Sequence, residues 1–98
     1  MSKREKILNK WKNNRPKEVP RREVEAILEH FFNGQYRWEK SSHLILQVDD
    51  LMDYEDYQPY GEISLPCKGG KAFKGFYVGK LLKVIEILGL WTGGTIHE

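Results

Sequence analysis

The sequence predicts an α+β domain ordered helix, strand, strand, strand, helix. Two observations carry that prediction. Two amphipathic stripes of helical period bracket the middle of the chain, and three short runs between them alternate apolar and polar residues. The chain has 98 residues, 40% of them apolar and 31% charged, enough for one core and too few for two. No apolar run reaches the roughly 18 residues that cross a bilayer. The start, MSKREKILNKWKNNRPK, lacks the apolar stretch of a signal peptide. The single cysteine, Cys67, forms no internal disulfide and fits a cytoplasmic protein. One Cys and three scattered His give no metal-ligand spacing, so a tetrahedral zinc site is not expected.

Residues 1–20 read as a basic N-terminal arm. Ile7, Leu8 and Trp11 allow a short helix over about residues 3–12, and Pro16 and Pro20 bound an extended linker. The first firm helix follows Pro20. Its apolar stripe is Val24, Ile27, Leu28, Phe31 and Phe32, with Gly34 as the left-handed stop. Tyr36-Arg37-Trp38-Glu39 alternates as a strand. His43 to Val48 is a second strand, with Leu44, Leu46 and Val48 on one face and His43, Ile45 and Gln47 on the other. DDLMDYEDYQP reads as a long acidic and aromatic loop. Glu62 to Leu65 is a third strand that Pro66 ends, and CKGGKAFKG is a glycine- and lysine-rich loop. The last helix spans about residues 76–88, with Val78, Leu81, Leu82, Ile85 and Leu88 inward and Gly89 as its stop. Trp91 folds back on the core. The expected division is arm 1–20, domain 21–92 and flexible tail 93–98.

A three-stranded antiparallel sheet with one apolar face buries it under two helices packed on that face. This α-β-β-β-α order is that of double-stranded-RNA-binding-like domains. The hairpin register follows from parity, because directly opposed residues share a face. A two-residue turn would oppose Glu39 to Leu44 and mix core with solvent residues. A three-residue turn over Lys40–Ser42 opposes Glu39 to His43 and Arg37 to Ile45, which places His43 on the open face beside the turn.

Charge is uneven along the chain. Residues 1–22 carry nine basic side chains against Glu5 and Glu18. Residues 41–60 carry five acidic side chains and no Lys or Arg, and the whole chain is only +2. A positive arm and a positive glycine loop suit a polyanion, whereas the acidic segment does not.

Three stretches together resemble the HicA family of toxin–antitoxin mRNA interferases. KWKNNRPKEVPRREVEAILEHF is similar to the family's basic start, proline and amphipathic helix. YRWEKSSHLIL is similar to its Arg-rich strand leading into a Gly-Ser-His motif, here Ser41-Ser42-His43. ISLPCKGGKAFKGFYVGKLLKVIEIL is similar to its ending of strand, proline, Lys/Gly loop and helix. The resemblance covers about residues 10–90. It implies a cytoplasmic endoribonuclease that cuts mRNA, uses the motif histidine, needs no known cofactor and is silenced by a HicB-like antitoxin. On that basis His43 is the catalytic candidate. Arg37, Lys40, Ser42, Lys68, Lys71, Lys74 and Lys80 are the RNA-binding candidates. Two departures stand out: Ser41 occupies the position of the usual glycine, and the acidic segment 49–57 is long. The other function class is a non-catalytic module of the same fold that binds RNA or an antitoxin.

RNA cleavage without a metal needs the 2′-hydroxyl to attack the adjacent phosphate. A histidine takes that proton or protonates the leaving oxygen. Lysines stabilise the charge that builds on the phosphoryl oxygens. The second proton-transfer role falls to water, a lysine or Tyr77. GGKAFKG lacks the spacing of a nucleotide-binding P-loop. Gly75 and Gly79 form a GxxxG pair, which predicts that the α-helical backbone there approaches the sheet or a partner closely. Tyr54, Tyr57 and Tyr60 suit loop packing or an antitoxin contact more than base stacking. His30 and His97 read as inert.

Overall fold

The first helix, α1 (Lys3–Asn13), starts on a reciprocal cap. The Ser2 hydroxyl accepts from the Glu5 amide at 3.1 Å, and the Ser2 amide donates to the Glu5 carboxylate at 3.2 Å. The computed structural model describes residues 2–91, so the expected tail at 93–98 and His97 lie outside the described residues. Seven further elements follow: β1 (Glu18–Pro20), α2 (Arg21–Phe32), β2 (Tyr36–Glu39), β3 (His43–Gln47), β4 (Glu62–Lys68), β5 (Ala72–Lys74) and α3 (Gly75–Ile87). The strands form one antiparallel sheet in the order β1-β5-β4-β3-β2.

The sheet is larger than the three strands the alternation predicts. Pro66 does not end β4, which continues to Lys68. A proline fits because the Cys67 amide points to β3, donating to the Ser42 carbonyl at 2.8 Å. The neighbouring position therefore faces the β5 side, where pairing begins only at Cys67. The glycine–lysine stretch is no free loop either. Gly69–Lys71 is a tight turn between β4 and β5, and Val19 and Phe73 pair inside the core at 0% exposure each. The extended linker between the prolines is thus an edge strand, where proline is tolerated.

Residues 1–20 are also not a free arm. Leu8 and Trp11 are 0% exposed, and α1 is a third helix that packs against α3 and α2 in the same core. Burying two such side chains removes enough apolar surface to contribute about 2–3 kcal/mol each as an upper bound. Part of the basic charge of this segment is used inside the molecule. Lys12 pairs with Glu86 of α3 at 2.7 Å, and Lys10 pairs with Glu23 of α2 at 3.3 Å.

Most of the expected helix positions and both glycine stops are found in the structure. Val24, Ile27, Leu28 and Phe32 of α2 join Val78, Leu81, Leu82 and Ile85 of α3 in the core, with Leu44, Leu46 and Leu65 of the sheet. Gly34 and Gly89 take left-handed conformations just past their helices. Trp91 is buried. No helix among the described residues is long and apolar enough to cross a membrane.

Gly75 and Gly79 do make a close approach, to the linker that leaves α1 rather than to the sheet. A side chain at Gly75 would collide with the Pro16 carbonyl, and one at Gly79 would meet the Arg15 guanidinium. The linker leaving α1 is laid across the first turns of α3. A helix-interior glycine costs about 1 kcal/mol against alanine, so this seat for Arg15 is bought at the expense of helix stability.

Candidate nucleic-acid interface at one end of the sheet

The register of β2 and β3 is the one parity requires: Glu39 opposes His43, and Arg37 opposes Ile45. With α2 and α3 on the other side, His43 stands exposed on the open face, at the start of β3. Its Nδ1 lies 3.2 Å from the Ser42 hydroxyl. That contact leaves Nε2 without a hydrogen-bond partner among the described residues. Across the other ladder His43 opposes Pro66.

The neighbours of His43 follow from pairing. Lys68 is two residues beyond Pro66 on the same face, a diagonal neighbour at about 7–8 Å between Cα atoms. Extending the β4–β5 register one step from Cys67↔Phe73 puts Lys74 level with Pro66. Lys74 is therefore two strand spacings from His43, about 10 Å. Glu18 opposes Lys74 on β1. Arg37, on the same face, is held between Glu39 at 3.6 Å and Glu62 at 3.9 Å. Lys68 lies 3.7 Å from Glu18.

Two tight turns project from this end of the sheet, side by side. In the β2–β3 turn both Lys40 (φ 54°) and Ser41 (φ 57°) are left-handed, a conformation that costs an L-residue about 1 kcal/mol or more. The β4–β5 turn touches it, since a side chain at Gly70 would come within 3.1 Å of the Ser41 carbonyl. Arg21, the first residue of α2, braces the pair. Its guanidinium donates to the Gly70 carbonyl at 3.2 Å, pairs with Glu25 at 3.2 Å and lies 3.9 Å over the Trp38 ring. Its amide donates to the Lys71 carbonyl at 3.0 Å. Lys40 and Lys71 thus project from neighbouring turns at the same end as His43, with no carboxylate in ion-pair range among the described residues.

Lys80 does not join this group. It lies on α3 beside Phe76 and Tyr77, at 5.1 and 5.7 Å from their ring centres, and lines a separate cleft with Tyr57, Ser64 and Lys83. Tyr77 packs against the core beneath the sheet, off the open face. The acidic segment forms two 3-10 turns, Asp49–Asp53 and Glu55–Tyr57, between the end of β3 and the start of β4. It therefore sits at the opposite end of the strands from His43. Tyr57 packs half-buried there, while Tyr54 and Tyr60 are 40% and 62% exposed.

The remaining titratable groups do other work. Burial pushes the Cys67 thiol up, and the thiol is closed off from solvent, which suits a core residue rather than a nucleophile. Burial and the Arg4 charge lower His30, whose exposed ring stacks edge-on against Phe31. Burial, together with the hydrogen bond its hydroxyl donates to Glu29, pushes Tyr36 up to about 12. Among the described residues no three His, Cys, Asp or Glu side chains gather to hold a metal ion.

Sequence reasoning missed Arg15, Lys17 and Phe76, which line one open cleft beside Lys74. The GxxxG pair was the signal for the close approach, but not for which residue makes it. No family model matches this sequence, and no curated protein or solved structure matches it.

Proposed function

We propose that the chain is a HicA-type endoribonuclease, the toxin of a type II toxin–antitoxin pair, that cuts mRNA in the cytoplasm with His43 as its acid–base residue. One observation carries the reading. An exposed imidazole sits on an open sheet face opposite Glu39, with Lys68 and Lys74 on the same face and Lys40 and Lys71 in the turns at that end, while the acidic segment is at the far end. The stretch from α2 to α3 holds four antiparallel strands between two helices, and in this reading α2, β2, β3, β4 and α3 correspond to the helices and strands of a double-stranded-RNA-binding-like unit.

In this reading a phosphate of single-stranded RNA rests over Pro66, between His43 and the lysines. The 2′-hydroxyl attacks phosphorus and the bond to the 5′-oxygen breaks, giving a 2′,3′-cyclic phosphate and a 5′-hydroxyl. His43 moves one proton through Nε2, with Ser42 orienting the ring through Nδ1. Lysine ammonium groups stabilise the charge on the phosphoryl oxygens. Water or one of these lysines moves the second proton. A HicB-like antitoxin silences the enzyme by covering this end of the sheet.

The test is cleavage of single-stranded RNA by wild type and His43→Ala, with and without EDTA, reading the product ends. Cutting that ignores EDTA and falls by about 10²–10⁴-fold in the variant supports the proposal. Unchanged cutting by His43→Ala overturns it. Equal RNA binding with no cutting by either protein identifies a non-catalytic binding module.

A further inference from the structure

Beside Lys74, on the side away from His43, an open cleft of about 550 Å³ lies between the 15–18 linker and the first turn of α3. Three cations line it, Arg15, Lys17 and Lys74, and none has a carboxylate in ion-pair range among the described residues. Glu18 also lines the cleft, but its carboxylate lies 3.7 Å from Lys68. Phe76, which also lines the cleft, is 69% exposed, the most exposed large apolar residue among the described residues, with the Lys80 ammonium 5.1 Å from its ring centre.

Arg15 is seated rather than loose. Its Nε donates to the Trp11 carbonyl at 3.0 Å, and its guanidinium occupies the space that a side chain at Gly79 would take. A helix-weakening glycine is thus kept where it seats a cation that has no carboxylate in ion-pair range among the described residues.

We propose that this cleft is a nucleotide subsite for single-stranded RNA. Arg15, Lys17 and Lys74 hold a backbone phosphate, and a base stacks on Phe76. The inference rests on the RNA-cleaving reading and extends its substrate track. Lys74 is shared, being level with His43 across the sheet and part of the cleft wall. An exposed aromatic beside a cationic groove is the usual means of holding single-stranded nucleic acid without regard to sequence.

The experiment measures binding of a labelled short single-stranded RNA by fluorescence anisotropy, in full-length His43→Ala so that the probe survives. Adding Phe76→Ala weakens binding about 5- to 100-fold, and Phe76→Trp restores it. Adding Lys74→Ala flattens the salt dependence by about 0.7 in log–log slope. Gly79→Ala also weakens binding, by displacing the Arg15 guanidinium, while thermal unfolding shows the fold intact. Wild-type affinity in both Phe76→Ala and Arg15→Ala overturns the subsite. If cutting by the His43-containing protein persists in those same variants, the enzyme reading stands without it. Loss of affinity in Phe76→Ala, with no cutting by wild type, keeps the subsite and overturns the enzyme. Failure of wild type to bind RNA even at low salt overturns both.

Discussion

The two ends of the sheet are built from opposite materials. At one end two short turns carry Lys40 and Lys71, flank His43 and lean on Arg21 of α2. At the other, residues 49–57 fold into two 3-10 turns bearing five carboxylates. The five residues of β3 separate them by about 17 Å, roughly two screening lengths at physiological salt. A near-neutral total charge therefore hides a dipolar molecule. In the RNA-cleaving reading the acidic segment lies clear of His43 and marks an end that a polyanion would avoid, giving an orientation for its approach.

The sharpest way to break this comparison is at the histidine. His43→Ala should remove about 10²–10⁴-fold of RNA cleavage and leave the melting temperature unchanged, because the ring is exposed and makes no core contact. Neutralising the far end, with Asp53→Asn, Glu55→Gln and Asp56→Asn together, should change cleavage by less than about twofold at physiological salt. A large gain there would show that the acidic segment reaches the site.

The next effect concerns what supports the basic end. Leu8→Ala should cost about 2–5 kcal/mol in urea unfolding, since Leu8 is 0% exposed within the core. A loss below about 0.5 kcal/mol would mean that α1 is the loose arm its charge suggests. The turn beside His43 gives a smaller effect of opposite sign. Ser41→Gly should raise stability by about 1 kcal/mol, or roughly 5 °C in melting temperature, by relieving a left-handed serine.

The smallest effect is alkaline. The Tyr36 hydroxyl is raised from 10.0 to about 12 by burial and by Glu29, so the folded state favours its protonated form. The associated stability is whole below pH 10 and is lost as pH climbs from 10 through 12. Tyr36→Phe should flatten that part of a pH-stability curve. An unchanged alkaline slope would mean that the Glu29 contact is not formed in solution.

Much of this was legible, for identifiable reasons. Period-3.6 stripes gave α2 and α3 within a residue or two, and parity alone gave the Glu39–His43 register and the open face. The strands β1 and β5 were not legible. Each is three residues long, too short to show alternation, and β1 ends on a proline that reads as linker. Pro66 misled in the same way, because whether a proline ends a strand depends on which neighbour its missing N–H would have met. Ile7, Leu8 and Trp11 do mark α1, but three apolar residues among nine cations in the first 22 do not show that the helix packs into the core. Of the expected site, Lys40, Ser42, Lys68, Lys71 and Lys74 gather near His43. Arg37 and Lys68 are already paired with carboxylates, and Lys80 belongs to another cleft. Side-chain pairing and strand order, unlike period, are set by distant parts of the chain.

The most direct test is amide chemical-shift mapping of uncleaved single-stranded RNA on ¹⁵N-labelled His43→Ala. The polarity described above predicts perturbations clustered at residues 40–43, 66–74 and 15–18, fading with salt, and none at 49–57. Shifts concentrated in the acidic turns, or none at low salt, would contradict it.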